Sequence, residues 1–164
     1  LREFLEAGIE PVSALRTLNA ALMLRGEEGG GFTTIDLLAL QRPTGAGTLY
    51  KYGAAPSYLK RGGCVTRVTG QSLPAGLQQG ADGPESTRLS LQAGSFFVMV
   101  SDGVADETDD EWLQNLMAGW SGQSAEALAS LILSESRTRR GLRDDCAVLV
   151  LHLPKMEDSP PRQV

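Results

Sequence analysis

The sequence predicts an α+β fold, and three observations carry that prediction. Apolar residues at helical spacing open the chain, short β-branched or aliphatic segments separated by glycine turns fill its middle, and two further helical segments precede one returning strand. Strands grouped before helices argue against alternating βαβ units. The segments at 96–100 and 146–153 look apolar on both faces, which suits sheets packed face to face with helices outside, a sandwich flanked by helices. At 164 residues the chain fits one domain able to bury a core without disulfides or metals as staples. We expect that domain over 1–153, with a disordered tail over 154–164, where three prolines and mixed charges gather.

Taken in order, Leu1, Phe4 and Leu5 mark a short helix, and Gly8 sits where a left-handed residue ends one. Pro11 suits a first helical turn, and Val12, Leu15, Leu18, Ala21, Leu22 and Leu24 form an apolar face that runs to Gly26. Glu27 to Gly31 reads as a loop, with no glycine pattern that cradles a nucleotide phosphate. Strands are expected over 32–40, 48–52, 57–61 and 64–68, with Gly62-Gly63 as a hairpin turn, and another over 86–91. After the strand at 96–100, Asp109 or Asp110 is placed to cap a helix reaching Met117. A second helix, with Ala127, Leu128, Leu131 and Ile132 on one face, runs to about Arg139, before the last strand at 146–153.

Composition excludes several classes. Fifteen basic against twenty acidic residues give a net charge of -5, which argues against a nucleic-acid binder. Cys64 and Cys146 stand far apart in no CxxC spacing, so they suggest neither zinc nor a secreted disulfide framework, and a cytoplasmic location fits. They read as strand-core thiols, since neither has a histidine partner in the pattern. No apolar run approaches the ~18 residues of a membrane span. His152, the only histidine, lies at the far end of the last strand and by itself supplies neither a metal triad nor a Ser-His-Asp arrangement.

The chemistry gathers at two strand ends. The run Phe96 to Val100 breaks off at Ser101-Asp102-Gly103, with Asp106 close behind, and Arg143-Asp144-Asp145 stands just before the last strand. Two buried strands carrying aspartates at those ends would set the carboxylates side by side, and hard Mg²⁺ or Mn²⁺ ions take carboxylate and water oxygens. Both patterns also occur as ordinary turn chemistry. Arg137, Arg139, Arg140 and Arg143 either neutralise a phosphopeptide or end a helix at its negative pole, the second reading being preferred. Trp112 and Trp120, eight apart, read as helix anchors.

The stretch Phe97-Val-Met-Val-Ser-Asp-Gly-Val-Ala-Asp106, taken with Arg143-Asp-Asp-Cys-Ala-Val-Leu-Val-Leu151, resembles the paired SDG and D-D/N motifs of the metal-dependent (protein phosphatase 2C-like) protein phosphatases. Phe32-Thr-Thr-Ile-Asp36, Lys51 to Arg61 and Ser72-Leu-Pro-Ala-Gly76 are similar to the phosphatase domain of the stage II sporulation protein E family, and the likeness covers about 1–153. It implies a protein phosphatase 2C-like sandwich in which Asp102 and Asp144 are metal ligands. Gly103, Asp106 and Asp145 would be auxiliary; separately from the resemblance, Arg139, Arg140 and Arg143 are the contacts expected if the arginine cluster neutralises a phosphopeptide rather than ending its helix. The implied activity is a Mn²⁺- or Mg²⁺-dependent protein serine/threonine phosphatase, in which a metal-activated water attacks a phosphorylated anti-sigma factor antagonist in a spore-forming bacterium.

The family's opening strands, with the aspartate that bridges two ions, have no counterpart here, and Asp36 corresponds to a later strand. The expectation is therefore an N-terminally truncated, catalytically inactive fragment that holds metal weakly or not at all. Open sheet edges would favour a homodimer. No nucleic acid or membrane contact is expected of this chain, though an upstream region would tether it to a membrane. In the alternative reading it is a non-catalytic regulatory or interaction fragment acting through its N-terminal helices.

Overall fold

The chain is seen in a computed structural model that describes residues 1–26, 31–42, 44–77, 83–106, 108–140 and 144–154. Residues 27–30 of the loop expected over Glu27 to Gly31, Arg143, and the part of the expected tail beyond Pro154 lie outside the described residues, as does the side chain of Arg140. In chain order the elements are α1 (Arg2–Glu6), α2 (Pro11–Gly26), β1 (Ile35–Leu40), β2 (Ala46–Tyr52), β3 (Ser57–Arg61), β4 (Cys64–Val68), β5 (Glu85–Ser90), β6 (Phe96–Val100), α3 (Glu111–Gly119), α4 (Ala125–Arg140) and β7 (Val148–His152). Every strand pair is antiparallel, as the α+β reading requires. The chain divides into two compact units, Leu1–Ala54 with Thr69–Ser90, and Ala55–Val68 with Leu91–Val164.

The first unit carries α1, α2 and a three-stranded sheet ordered β1-β2-β5. Its core is Leu15, Tyr52 and Ala75, with Leu22, Ile35, Leu37 and Tyr50 packed against them. The expected apolar face of α2 is corrected at one end, because Leu24 is 71% exposed while Ala14, Leu15 and Asn19 are buried. Asn19 is tolerated inside because its Oδ1 accepts the Gly76 N–H at 2.8 Å, so a polar group answers a backbone donor. Phe32, expected to begin a strand, is exposed and precedes it. Asp36 and Lys51 face each other across β1 and β2 and form a part-buried ion pair at 2.8 Å.

The second unit carries the sheet β4-β3-β6-β7, with α3 and α4. Its core gathers Tyr58, Phe96, Val98, Val100, Val104, Leu113, Met117, Leu128 and Ile132, with Trp112 and Trp120 against them as anchors. β3 and β4 are joined through Gly62 and Gly63, with Arg61 opposite Cys64 and Gly62 at φ 56°, as a two-residue hairpin turn demands. β6 is central and buried along most of its length. β7 is an edge strand, so the expectation of burial on both faces is corrected there, and Leu149 is 53% exposed. Cys64 is also corrected, since it is exposed beside the turn, while Cys146 is half-buried just before β7.

Asp110 does precede α3, but no side-chain capping bond forms. Its carboxylate is drawn inward instead, accepting the Tyr58 hydroxyl at 2.8 Å and the Gln114 amide at 3.1 Å and pairing with Arg67 at 2.6 Å. A buried charge with three partners outweighs one exposed cap bond.

Candidate metal centre

Antiparallel pairing decides which residues meet at the end of the second sheet. Val100 is opposite Val148, so the residues that leave β6 lie beside those that enter β7. The ladder extends one step further, where the Ser101 amide donates to the Ala147 carbonyl at 3.0 Å. The Ser101 hydroxyl then donates to the Asp145 carbonyl at 3.1 Å and accepts the Ala147 amide at 2.9 Å. One serine thus fastens the SDG turn to the segment carrying Asp144.

Gly103 is the closest point of that junction. A Cβ added there would lie 2.4 Å from the Asp145 carbonyl oxygen and 3.3 Å from the Asp144 Cβ. Only glycine lets the two turns approach so closely. Cys146 closes the far side, its thiol donating to the Gly103 carbonyl at 3.3 Å. Asp102 and Asp144 both stand on the exposed side, each accepting a following backbone amide: Gly103 to Asp102 Oδ1 at 3.1 Å, and Asp145 to Asp144 Oδ1 at 2.8 Å. These bonds orient one oxygen of each carboxylate. The donor set of two hard carboxylates on turns locked together suits a hard divalent cation.

The other expected site residues fall out differently. Asp106 Oδ1 accepts the amides of Thr108 and Asp109 and the Thr108 hydroxyl, at 2.9, 3.1 and 2.7 Å, so it organises its own loop. Asp145 is engaged through its backbone carbonyl. Arg139 lies 5.4 Å over the Trp112 ring and 3.5 Å from Glu135, which binds it to its own helix and the preceding one. Among the described residues no group of three His, Cys, Asp or Glu side chains comes together around one metal position. No helix among them is long and apolar enough to cross a membrane. Sequence reasoning passed over Ser101 as a structural fastener; its hydroxyl beside the aspartate was the available signal.

This geometry can be set beside known proteins. A model of the family described as Stage II sporulation protein E (SpoIIE) matches residues 1–154. The chain belongs to that family. It is 32% identical over 160 residues to Stage II sporulation protein E of Bacillus subtilis, covering 93% of this chain and 19% of the relative. It therefore spans about a fifth of that SpoIIE protein's length. Among solved structures it is similar to the PP2C phosphatase domain with a fragment of the regulatory domain of SpoIIE from B. subtilis. The TM-score is 0.81 at 29% identity, over 93% of this chain and 48% of that one. The B. subtilis SpoIIE phosphatase domain presoaked with Mn is likewise similar, with a TM-score of 0.68 at 28% identity over 97% of this chain and 71% of that one. The expected family and the PP2C-like α+β fold are thereby borne out, and these SpoIIE relatives are PP2C-type phosphatases.

Proposed function

We propose that this chain contributes to a divalent-metal-dependent protein serine/threonine phosphatase domain of the SpoIIE type, with Asp102 and Asp144 as its metal ligands. The observation that carries the reading is the contact of Gly103 with the Asp144–Asp145 turn, which leaves room for glycine alone between two carboxylate-bearing turns. The SpoIIE relative solved after presoaking with Mn supports manganese as the ion to try first. When bound, such an ion supplies Lewis acidity and neutralises phosphoryl charge. The chain's own part is to hold Asp102 and Asp144 in register through Ser101 and to orient one oxygen of each by backbone amides. Our reading of the substrate is a phosphorylated anti-sigma factor antagonist, from membership of the SpoIIE family. Two carboxylates without a third donor among the described residues bind a divalent ion weakly, so we expect low or no activity from this chain alone.

A second reading, as a regulatory or interaction piece, draws on the helices that open the chain. α1 buries no residue, and Leu1, Phe4 and Ile9 are each more than a third exposed. Calorimetric Mn²⁺ titration and a phosphoserine-protein assay, run on this chain and on a version extended upstream, separate the two. The phosphatase reading predicts metal binding and turnover in the extended version, with Asp102→Ala lowering turnover about a hundredfold or more. An extended version that binds no metal and is indifferent to Asp102→Ala would sink it.

A further inference from the structure

At the opposite end of the second sheet lies a cleft of about 420 Å³, bounded by the β3–β4 turn, the turn before β6 and the linker between α3 and α4. We infer that this cleft binds a small organic anion, a carboxylate or phosphate monoester carried on an apolar group. Its volume is in the range of small-molecule sites.

Lys60 lines the cleft and is 5% exposed. Its ammonium has three protons to donate, and two go to the carbonyls of Gly62 and, at 3.2 Å, Ala118. No carboxylate pairs with Lys60 among the described residues. A buried ammonium facing only carbonyl dipoles is unstable relative to one with a counter-anion. Burial pushes the lysine down from its ordinary value, which agrees with that imbalance.

A second donor faces the same deficit. The Trp120 indole Nε1 is buried without an acceptor among the described residues, and Trp120 also lines the cleft. The ring is held in place by Gly122, where an added Cβ would lie 2.4 Å from its Cζ2. Phe96, stacked on His152 with centroids 4.1 Å apart, supplies an apolar wall, while Arg61 and Gln92 add polar groups at the rim. A buried cation with one ammonium proton to spare and aromatic residues in the lining describe a receptor for an anion with an apolar body. Phe96 opens β6 and Asp102 follows its end, so six residues separate this cleft from the candidate metal centre, about 20 Å along the strand.

The test uses the chain with Trp112→Phe, which leaves Trp120 as its one tryptophan. Phenyl phosphate, benzoate and inorganic phosphate are titrated while indole fluorescence is followed, with calorimetry in parallel. Saturable one-to-one binding of phenyl phosphate or benzoate is expected, the tighter of the two naming the anion, with inorganic phosphate at least about tenfold weaker for lack of an apolar body. Lys60→Met should weaken binding about tenfold or more, and Trp120→Phe, read by calorimetry, a few-fold, both with unchanged far-UV circular dichroism. Should Lys60→Met not fold, Trp120→Phe alone decides. Asp102→Ala should leave the affinity unchanged. Equal affinity in every folded variant, loss of binding on Asp102→Ala, or no saturable binding of either organic probe up to about 10 mM would overturn the inference.

Discussion

At the scale of single residues, Gly103 and Gly63 make an informative pair. A methyl group at 103 would meet a backbone carbonyl oxygen at 2.4 Å, and backbone cannot swing aside as a side chain does, whereas nothing lies within 4 Å of one at 63. Gly103→Ala should therefore destabilise the protein by about 1–3 kcal/mol or more in urea unfolding. Gly63→Ala should change it by less than about 1 kcal/mol. Comparable costs at the two positions would remove the close approach on which the proposed metal centre rests. Residue type alone misjudged Cys64, because a thiol is a common core group, and its place beside a two-residue turn left it in water instead. Asp36 and Lys51 were the converse. Nothing local distinguishes two charged residues in separate strands until register sets them opposite each other in the interior.

At the scale of elements, the Tyr58–Asp110–Arg67 cluster ties α3 to β3 and β4. Burial raises the Tyr58 hydroxyl well above its ordinary value, helped by its bond to Asp110 and that residue's charge. The unfolded chain then ionises near pH 10 while the folded one keeps its proton. The stability that Tyr58 contributes should be fully present below about pH 10 and lost as pH rises through the folded value above it. Tyr58→Phe should be less stable than the parent by about 1.5–3 kcal/mol at pH 8. That gap should narrow above about pH 10. A gap that stays constant from pH 8 to pH 11 would mean that the hydroxyl has no special partner.

At the scale of the whole molecule, the two compact units have separate cores, Leu15 belonging to one and Leu128 to the other, and the clusters share no residue. The chain passes between the units three times, after Ala54, Val68 and Ser90. Leu15→Ala and Leu128→Ala should each cost about 2–5 kcal/mol in urea unfolding, because each empties a fully buried site. The double variant should lose the sum to within about 0.5 kcal/mol. A clear departure from additivity would show that the clusters are energetically one core.

Within the chain itself, element type and order were legible. The periodicities of 3.6 and 2, the Gly62-Gly63 turn and the Asp-Gly break after Val100 are local signals, and β3, β4 and β6 match their expected bounds. Asp102 and Asp144 were likewise legible as strand-end carboxylates, since an apolar run stops or starts beside each. Tertiary structure alone decided what those residues meet. Antiparallel register brings Ser101 to Asp145, turns Asp110 away from its helix cap toward Tyr58, leaves β7 at an edge, and sets Lys60 and Trp120 around one cleft. The reason is physical: spacing along the chain fixes which face a side chain takes, whereas the partner that satisfies a buried charge or donor comes from a distant segment.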